Sequence, residues 1–293
     1  MADCRLQNER WPIVWRFGRP LFGLAVLFGA TFAVAASSPQ APTGGGRTTV
    51  FDELLDVHVR DGMVYYRALK SERPRLQSYL ASLAAANIES APREEQMAFW
   101  INAYNAIVLA TVVDHYPIVA RTREYPPRSI RQIPGAFERI QHRVAGRMLT
   151  LDQIEQTVLA GFHDPRVFFA LGRGAMGSGR LKSAAYVGGE LERQLSEAAD
   201  ECPDRSQCAQ IDRLNSRARI SSIFSWREKE FAAVYAERAP AVFRERSPIE
   251  RAAIAFLTPK LVPAERDFLA KNEFTTEFIP FDWSLNDLTG RGQ

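Results

Sequence analysis

Cysteine and histidine are scarce, with 3 and 4 residues in a chain of 293. That scarcity excludes a scaffold built on disulfides and a metal centre rich in cysteine or histidine, because both need such residues in closely spaced groups. The chain has no His-Glu-x-x-His pair, EF-hand loop, Walker loop or dinucleotide fingerprint, so neither a cofactor nor a resident metal is expected from its motifs. No basic stripe with interleaved aromatics occurs, and nucleic acid is not an expected partner. The formal charge is +3, and the arginines are scattered among acids as on a solvated surface. No internal repeat is visible.

The chain does have an N-terminal stretch with the marks of a targeting segment. Arg5, Arg10, Arg16 and Arg19 precede an uncharged run from Leu21 to Ala36, and Ala33-Val34-Ala35 offers the small-x-small pattern of a cleavage site. The run is short for a hydrocarbon core of roughly 30 Å at about 1.5 Å per residue. Residues 1–36 are therefore expected to direct export and be removed, with an uncleaved membrane anchor as the alternative. No Arg-Arg pair supports a twin-arginine route. The expected location is periplasmic or extracellular; if anchored, the chain faces the periplasm from the inner membrane. Without residues 1–35, which carry four arginines and two acids, the formal charge falls from +3 to +1.

Residues 37–49, with Pro39, Pro42 and Gly44-Gly45-Gly46, have no periodicity and read as a flexible linker. From residue 50 to 293 the length suits one domain with an ample core. Phe51, Leu54, Leu55 and His58 fall at helical spacing, as do Leu76, Leu80 and Leu83. Pro92-Arg93-Glu94-Glu95 reads as a helix start, and that helix is expected to reach about Tyr116, where Pro117 stops it. Segments 140–144 and 147–149 suggest a hairpin, and Thr150-Leu151-Asp152 opens a further helix ending near Gly161. Helices are expected again over 189–199, 226–236, 248–256 and 263–271, with a closing strand over 275–281. The fold class is α+β: a mainly helical single domain with a few short strands.

Cys202 and Cys208 bracket a polar loop, Pro203-Asp204-Arg205-Ser206-Gln207. In an exported chain such a pair reads as a disulfide, contributing on the order of 2 kcal/mol for so short a ring. Redox work by the pair is a weaker alternative, since Cys-x-x-Cys is the usual spacing for it.

The stretch Phe99-Trp100-Ile101-Asn102-Ala103-Tyr104-Asn105-Ala106 places two amides inside an otherwise apolar helix, where each must find hydrogen-bond partners. With it occur, in order, FDELLDVHVRDGMVYYRALK, AFWINAYNAIVLATVVDHYP, LTLDQIEQTVL, DPRVFFAL and FDWSLNDL. Together these blocks resemble the family known only as domain of unknown function 547, over essentially all of Val50 to Leu288. The resemblance implies exported bacterial members and no general activity. It also implies a histidine where this chain has Phe168, and another where it has Gln156 after the retained Glu155. A loop ending Ser-Cys-Pro-Pro-Leu is implied where Gly177-Ser178-Gly179-Arg180-Leu181 stands, with an earlier cysteine replaced by Arg173. If typical members use thiol and imidazole chemistry, this chain has lost those groups.

Two functional readings follow. In the first, the chain is a non-catalytic binding or accessory module with a degenerated centre, whose partner is a small molecule or an envelope protein. In the second, it is a hydrolase or acyl transferase in which Ser178 replaces the thiol. Ser178 lies in a glycine-rich loop, but Met176 two residues earlier breaks the Gly-x-Ser-x-Gly elbow. The bland reading of that loop is a flexible turn. Asn102 and Asn105 share a helix face and either contact a ligand or pin loops through backbone contacts. Glu155 and Arg166, with Asp164 nearby and Arg173 in the loop, complete the candidate pocket. A metal held by Glu155, His163 and Asp164 has no ligand spacing to support it. Asp282-Trp283 is expected to dock the tail onto the domain.

Overall fold

In the computed structural model, residues 49–289 are described. The expected targeting segment with Cys4, and the expected linker up to residue 48, lie outside them. The domain opens with α1 (Val50–His58), whose N-terminus is capped by the Thr49 hydroxyl accepting from the Asp52 amide at 3.1 Å. A two-residue hairpin follows, β1 (Val59–Arg60) with β2 (Met63–Val64), turning at Asp61-Gly62 where both residues take positive φ. Next come the single turn α2 (Tyr66–Leu69), then α3 (Arg73–Ala85), and the 22-residue α4 (Arg93–Asp114).

Helix α4 is the axis of the core. It is long and apolar enough to cross a membrane by composition, yet 89 % of its apolar window is buried inside the domain. It is apolar on every side because other elements surround it. Its two asparagines are therefore inward-facing, and each is satisfied by backbone. The Asn102 side chain donates to the Tyr186 carbonyl at 2.8 Å and accepts from the Tyr186 amide at 2.9 Å. Asn105 donates to the Ala170 carbonyl at 3.1 Å and accepts from the Gly172 amide at 2.8 Å. Two loops distant in sequence are thus fastened to one helix, as buried amides require.

After the proline-rich crossing, the hairpin β3 (His142–Val144) and β4 (Arg147–Leu149) leads into α5 (Leu151–Gln153). Thr150 and Gln153 cap its start reciprocally. The α-helix expected to run on to Gly161 changes instead into a π-helical segment, Ile154–Leu159, and then a 3-10 turn, Ala160–Phe162. The short helix α6 (Val167–Ala170) precedes a loop and then α7 (Leu191–Asp200).

The remaining part was only half anticipated. Strands β5 (Ala209–Asp212) and β6 (Arg217–Ser221) form an antiparallel pair that carries no clear period-2 pattern. The helix expected over 226–236 is α9 (Glu228–Tyr235), and a separate short helix, α8 (Ser222–Trp226), precedes it across a break at Arg227. Helices α10 (Pro248–Leu257) and α11 (Pro263–Ala270) supply the crossover that lets β7 (Thr275–Ile279) lie parallel to β6. The tail after β7 returns across the domain, where Asn286 accepts from the Tyr66 hydroxyl at 2.7 Å and donates to the Gly62 carbonyl at 2.8 Å. The fold is α+β with helix predominant.

Candidate functional site

A cleft of about 280 Å³ opens where the π-helical segment, the loop after α6, the α8–α9 break and the tail converge. Glu155 and Gln156 enter it from the π-helical segment, whose extra residue per turn is a feature recurrent at functional sites. Arg173 comes from the loop, Trp226 and Arg227 from the break, and Trp283 from the tail. Arg131, Phe137 and Asp152 complete the walls.

Its floor is a buried charge cluster. Arg173 grips Glu155 through two N–H groups, Nε to Oε2 at 3.1 Å and Nη2 to Oε1 at 2.6 Å. Arg227 adds Nη2 to Oε1 at 2.6 Å, and the Tyr104 hydroxyl of α4 donates to Oε2 at 2.9 Å. Only 3 % of the Arg173 side chain is exposed, and its Nη1 donates to the Phe168 carbonyl at 3.2 Å. The Arg227 guanidinium lies 4.6 Å from the centre of the Phe168 ring. Burial by itself raises the Glu155 pKa, but the charges and hydrogen bonds of Arg173 and Arg227 outweigh it and lower the value to about 2. The carboxylate is ionised, fully occupied, and a poor proton carrier near neutral pH.

The walls are aromatic and cationic. Arg131 sits 4.5 Å from the Trp283 ring centre and 4.7 Å from that of Phe137, and pairs with Glu138. The Nε atoms of Arg131 and Arg227 are buried without a hydrogen-bond partner. Burial raises the Asp152 pKa, helped by the neighbouring charges of Glu138 and Glu155.

Of the residues proposed from sequence, the cleft gathers Glu155 and Arg173. Glu155 does not pair with Arg166. That arginine is bound to Asp164 at 2.7 Å and to Glu192 at 2.6 Å, tying the start of α6 to α7. Asn102 and Asn105 serve the loops, as described above. His163 is exposed, in a left-handed conformation after the 3-10 turn. Among the described residues no three His, Cys, Asp or Glu side chains gather as a ligand set.

Ser178 is buried, and its hydroxyl accepts the Arg173 amide at 3.0 Å, its one side-chain hydrogen bond among the described residues. Among the described residues no carboxylate or imidazole is hydrogen-bonded to it as a base. The loop around it is tightly packed. A Cβ on Gly179 would lie 1.7 Å from the Phe169 carbonyl oxygen, and one on Gly177 would lie 2.8 Å from the Asp282 nitrogen. Cys202 and Cys208 form a disulfide. Within the ring they close, Arg205 donates to the carbonyls of Ser178 at 2.5 Å and Met176 at 3.1 Å.

Residues 88–201 match the family model described as protein of unknown function, DUF547. The chain carries a DUF547 domain. The DUF547 match covers α4, the π-helical segment, Arg173 and the Ser178 loop. The tail with Trp283 and the break with Arg227 lie beyond it. No curated protein and no solved structure matches the chain.

Sequence reasoning missed Arg131, Tyr104, Trp226 and Arg227 as parts of one site. The block FDWSLNDL was the available signal for Trp283, and the substituted positions Gln156 and Arg173 for the floor.

Proposed function

We propose that this DUF547 chain is an exported, envelope-located module that binds a small polar ligand in the cleft and leaves it chemically unchanged. One observation carries the reading. Gln156 and Arg173, two of the four positions where the family resemblance expects imidazole or thiol, line the cleft, a third, Phe168, is buried against the Arg227 guanidinium, and the deepest carboxylate is locked between two guanidinium groups. What remains is a preformed concavity with polar and aromatic walls, in which Gln156, Phe168, Arg173 and the locked Glu155 supply no poised acid, base or nucleophile.

The test is ligand-observed NMR of the purified chain against small polar molecules, repeated with Trp283→Ala. Binding that weakens in the variant, with the ligand intact after prolonged incubation, supports the reading. Consumption of a ligand that depends on Glu155 or Ser178 overturns it. Fractionation of cells expressing the full chain tests the location, and recovery in the cytoplasm overturns that part.

A further inference from the structure

The walls of the cleft specify the class of small polar ligand, an inference that rests on the binding reading above. Trp226 is 46 % exposed. Its ring lies at 22° to that of Trp283 with centroids 6.0 Å apart, and 4.8 Å from the ring of Phe281. A half-exposed indole stack at the mouth of a polar cleft is an apolar platform without a cover. Beside it stand polar groups that lack partners. The Asp152 carboxylate and the Gln156 amide make no side-chain hydrogen bond among the described residues, Nη1 of Arg227 has only Glu230 at 3.8 Å, and its Nε is buried without a partner. Asp152 accepts, Arg227 donates, and Gln156 does both.

The cleft is lined by Arg131, Arg173 and Arg227 against Asp152 and Glu155, and Glu138 and Glu230 face Arg131 and Arg227 from just outside it. With charges of both signs so interleaved, an ion of either sign meets opposing neighbours. The N–H groups of Arg173 that would grip a phosphate or carboxylate are already committed to Glu155 and the Phe168 carbonyl. A charged floor disfavours a lipid chain. Mixed donors and acceptors beside an aromatic face match a ring with hydroxyls on its edge and C–H groups on its face. We propose that the cleft binds a neutral saccharide, one sugar ring resting on the Trp226–Trp283 stack with its hydroxyls shared among Asp152, Gln156 and Arg227. The volume of about 280 Å³ is at the small end for ligand pockets and limits the buried part to a ring or two.

The experiment titrates the purified chain with glucose, N-acetylglucosamine and maltose, and with glucuronate, citrate and benzoate as contrasts, at millimolar concentrations. Tryptophan emission and ligand-observed NMR are followed together. The expected result is saturable binding of at least one neutral sugar. It should weaken about tenfold in Trp226→Ala, whose side chain is half exposed, and in Asp152→Asn, with thermal unfolding unchanged. Sugar binding indifferent to both substitutions overturns the inference, because the sugar is then elsewhere. Binding of citrate, glucuronate or benzoate alone overturns the saccharide class and leaves the binding reading standing. Silence from every probe overturns the saccharide inference, and an empty small-molecule screen besides overturns the binding reading too.

Discussion

Arg227 and Glu155, 72 residues apart in sequence, meet at 2.6 Å across the floor of the cleft, and the same carboxylate oxygen takes Arg173 at 2.6 Å. One carboxylate therefore bridges two buried guanidinium groups, and Arg227 also faces Glu230 at 3.8 Å. Glu155→Gln leaves the buried Arg173 without its ion-pair partner and is expected to cost about 3–5 kcal/mol. Arg227→Met should cost less, because Arg173 still pairs with Glu155. Urea unfolding measures both, and a loss below about 1 kcal/mol in Glu155→Gln would refute the clamp.

The same cluster sets an acid limb. The Glu155 pKa is lowered from the ordinary 4.5 to about 2 in the folded chain. A depressed carboxylate contributes stability that is complete above its unfolded pKa and is lost as the pH falls through the folded one. The window thus runs from about pH 4.5 down to about pH 2, with an amplitude on the order of 3 kcal/mol. The stability difference between the wild type and Glu155→Gln should shrink across that window. A pH-independent difference would mean that the substitution acts through packing rather than charge.

Gly179 is a second point of intolerance. A methyl there would overlap the Phe169 carbonyl, a backbone atom that cannot rotate away. Gly179→Ala is expected to destabilise by roughly 3 kcal/mol or more, at or above the upper end of ordinary overpacking. A melting temperature equal to that of the wild type would show that the loop yields freely.

Ser178 should be chemically silent. Its hydroxyl is buried and engaged with the Arg173 amide, and no base among the described residues is hydrogen-bonded to it. Fluorophosphonate treatment of the folded chain is expected to leave Ser178 unlabelled in peptide mapping. Stoichiometric labelling that disappears in Ser178→Ala would revive the nucleophile.

The legible parts of the fold were those with strong local signals. The α4 boundaries follow from Pro92 and Pro117, and α10 from Ser247 with Pro248 and Glu250. Strands β5 and β6 were missed because their stability comes from pairing with each other and with β7, contacts that no local pattern encodes. The π-helical turn at Ile154–Leu159 was hidden for a similar reason: its apolar residues fit an α-helix equally well. The floor of the candidate site was half visible through Glu155 and Arg173. Arg227 was not, since a single arginine among many becomes a partner only when the α8–α9 break delivers it.

Trp283 is tied to the disulfide ring through a chain of hydrogen bonds to backbone carbonyls. Arg205, inside the disulfide ring, donates to the carbonyls of Ser178 and Met176, and burial lowers its pKa. The loop it fastens in turn donates to the tail, Met176 N–H to the Ser284 carbonyl at 2.8 Å and Gly177 N–H to the Asp282 carbonyl at 2.9 Å. Trp283 lies between those two tail residues and lines the cleft. Arg205→Ala removes two hydrogen bonds from that loop and should cost about 1–3 kcal/mol. It should also loosen Trp283, so that tryptophan emission shifts to longer wavelength. The paired substitution Cys202→Ser with Cys208→Ser should move emission in the same direction, by freeing the ring that aims Arg205. Ligand affinity should fall in both variants even where the folded fraction is unchanged. If Arg205→Ala lowers stability yet leaves the emission and the affinity as in the wild type, the ring supports the loop without positioning the cleft wall.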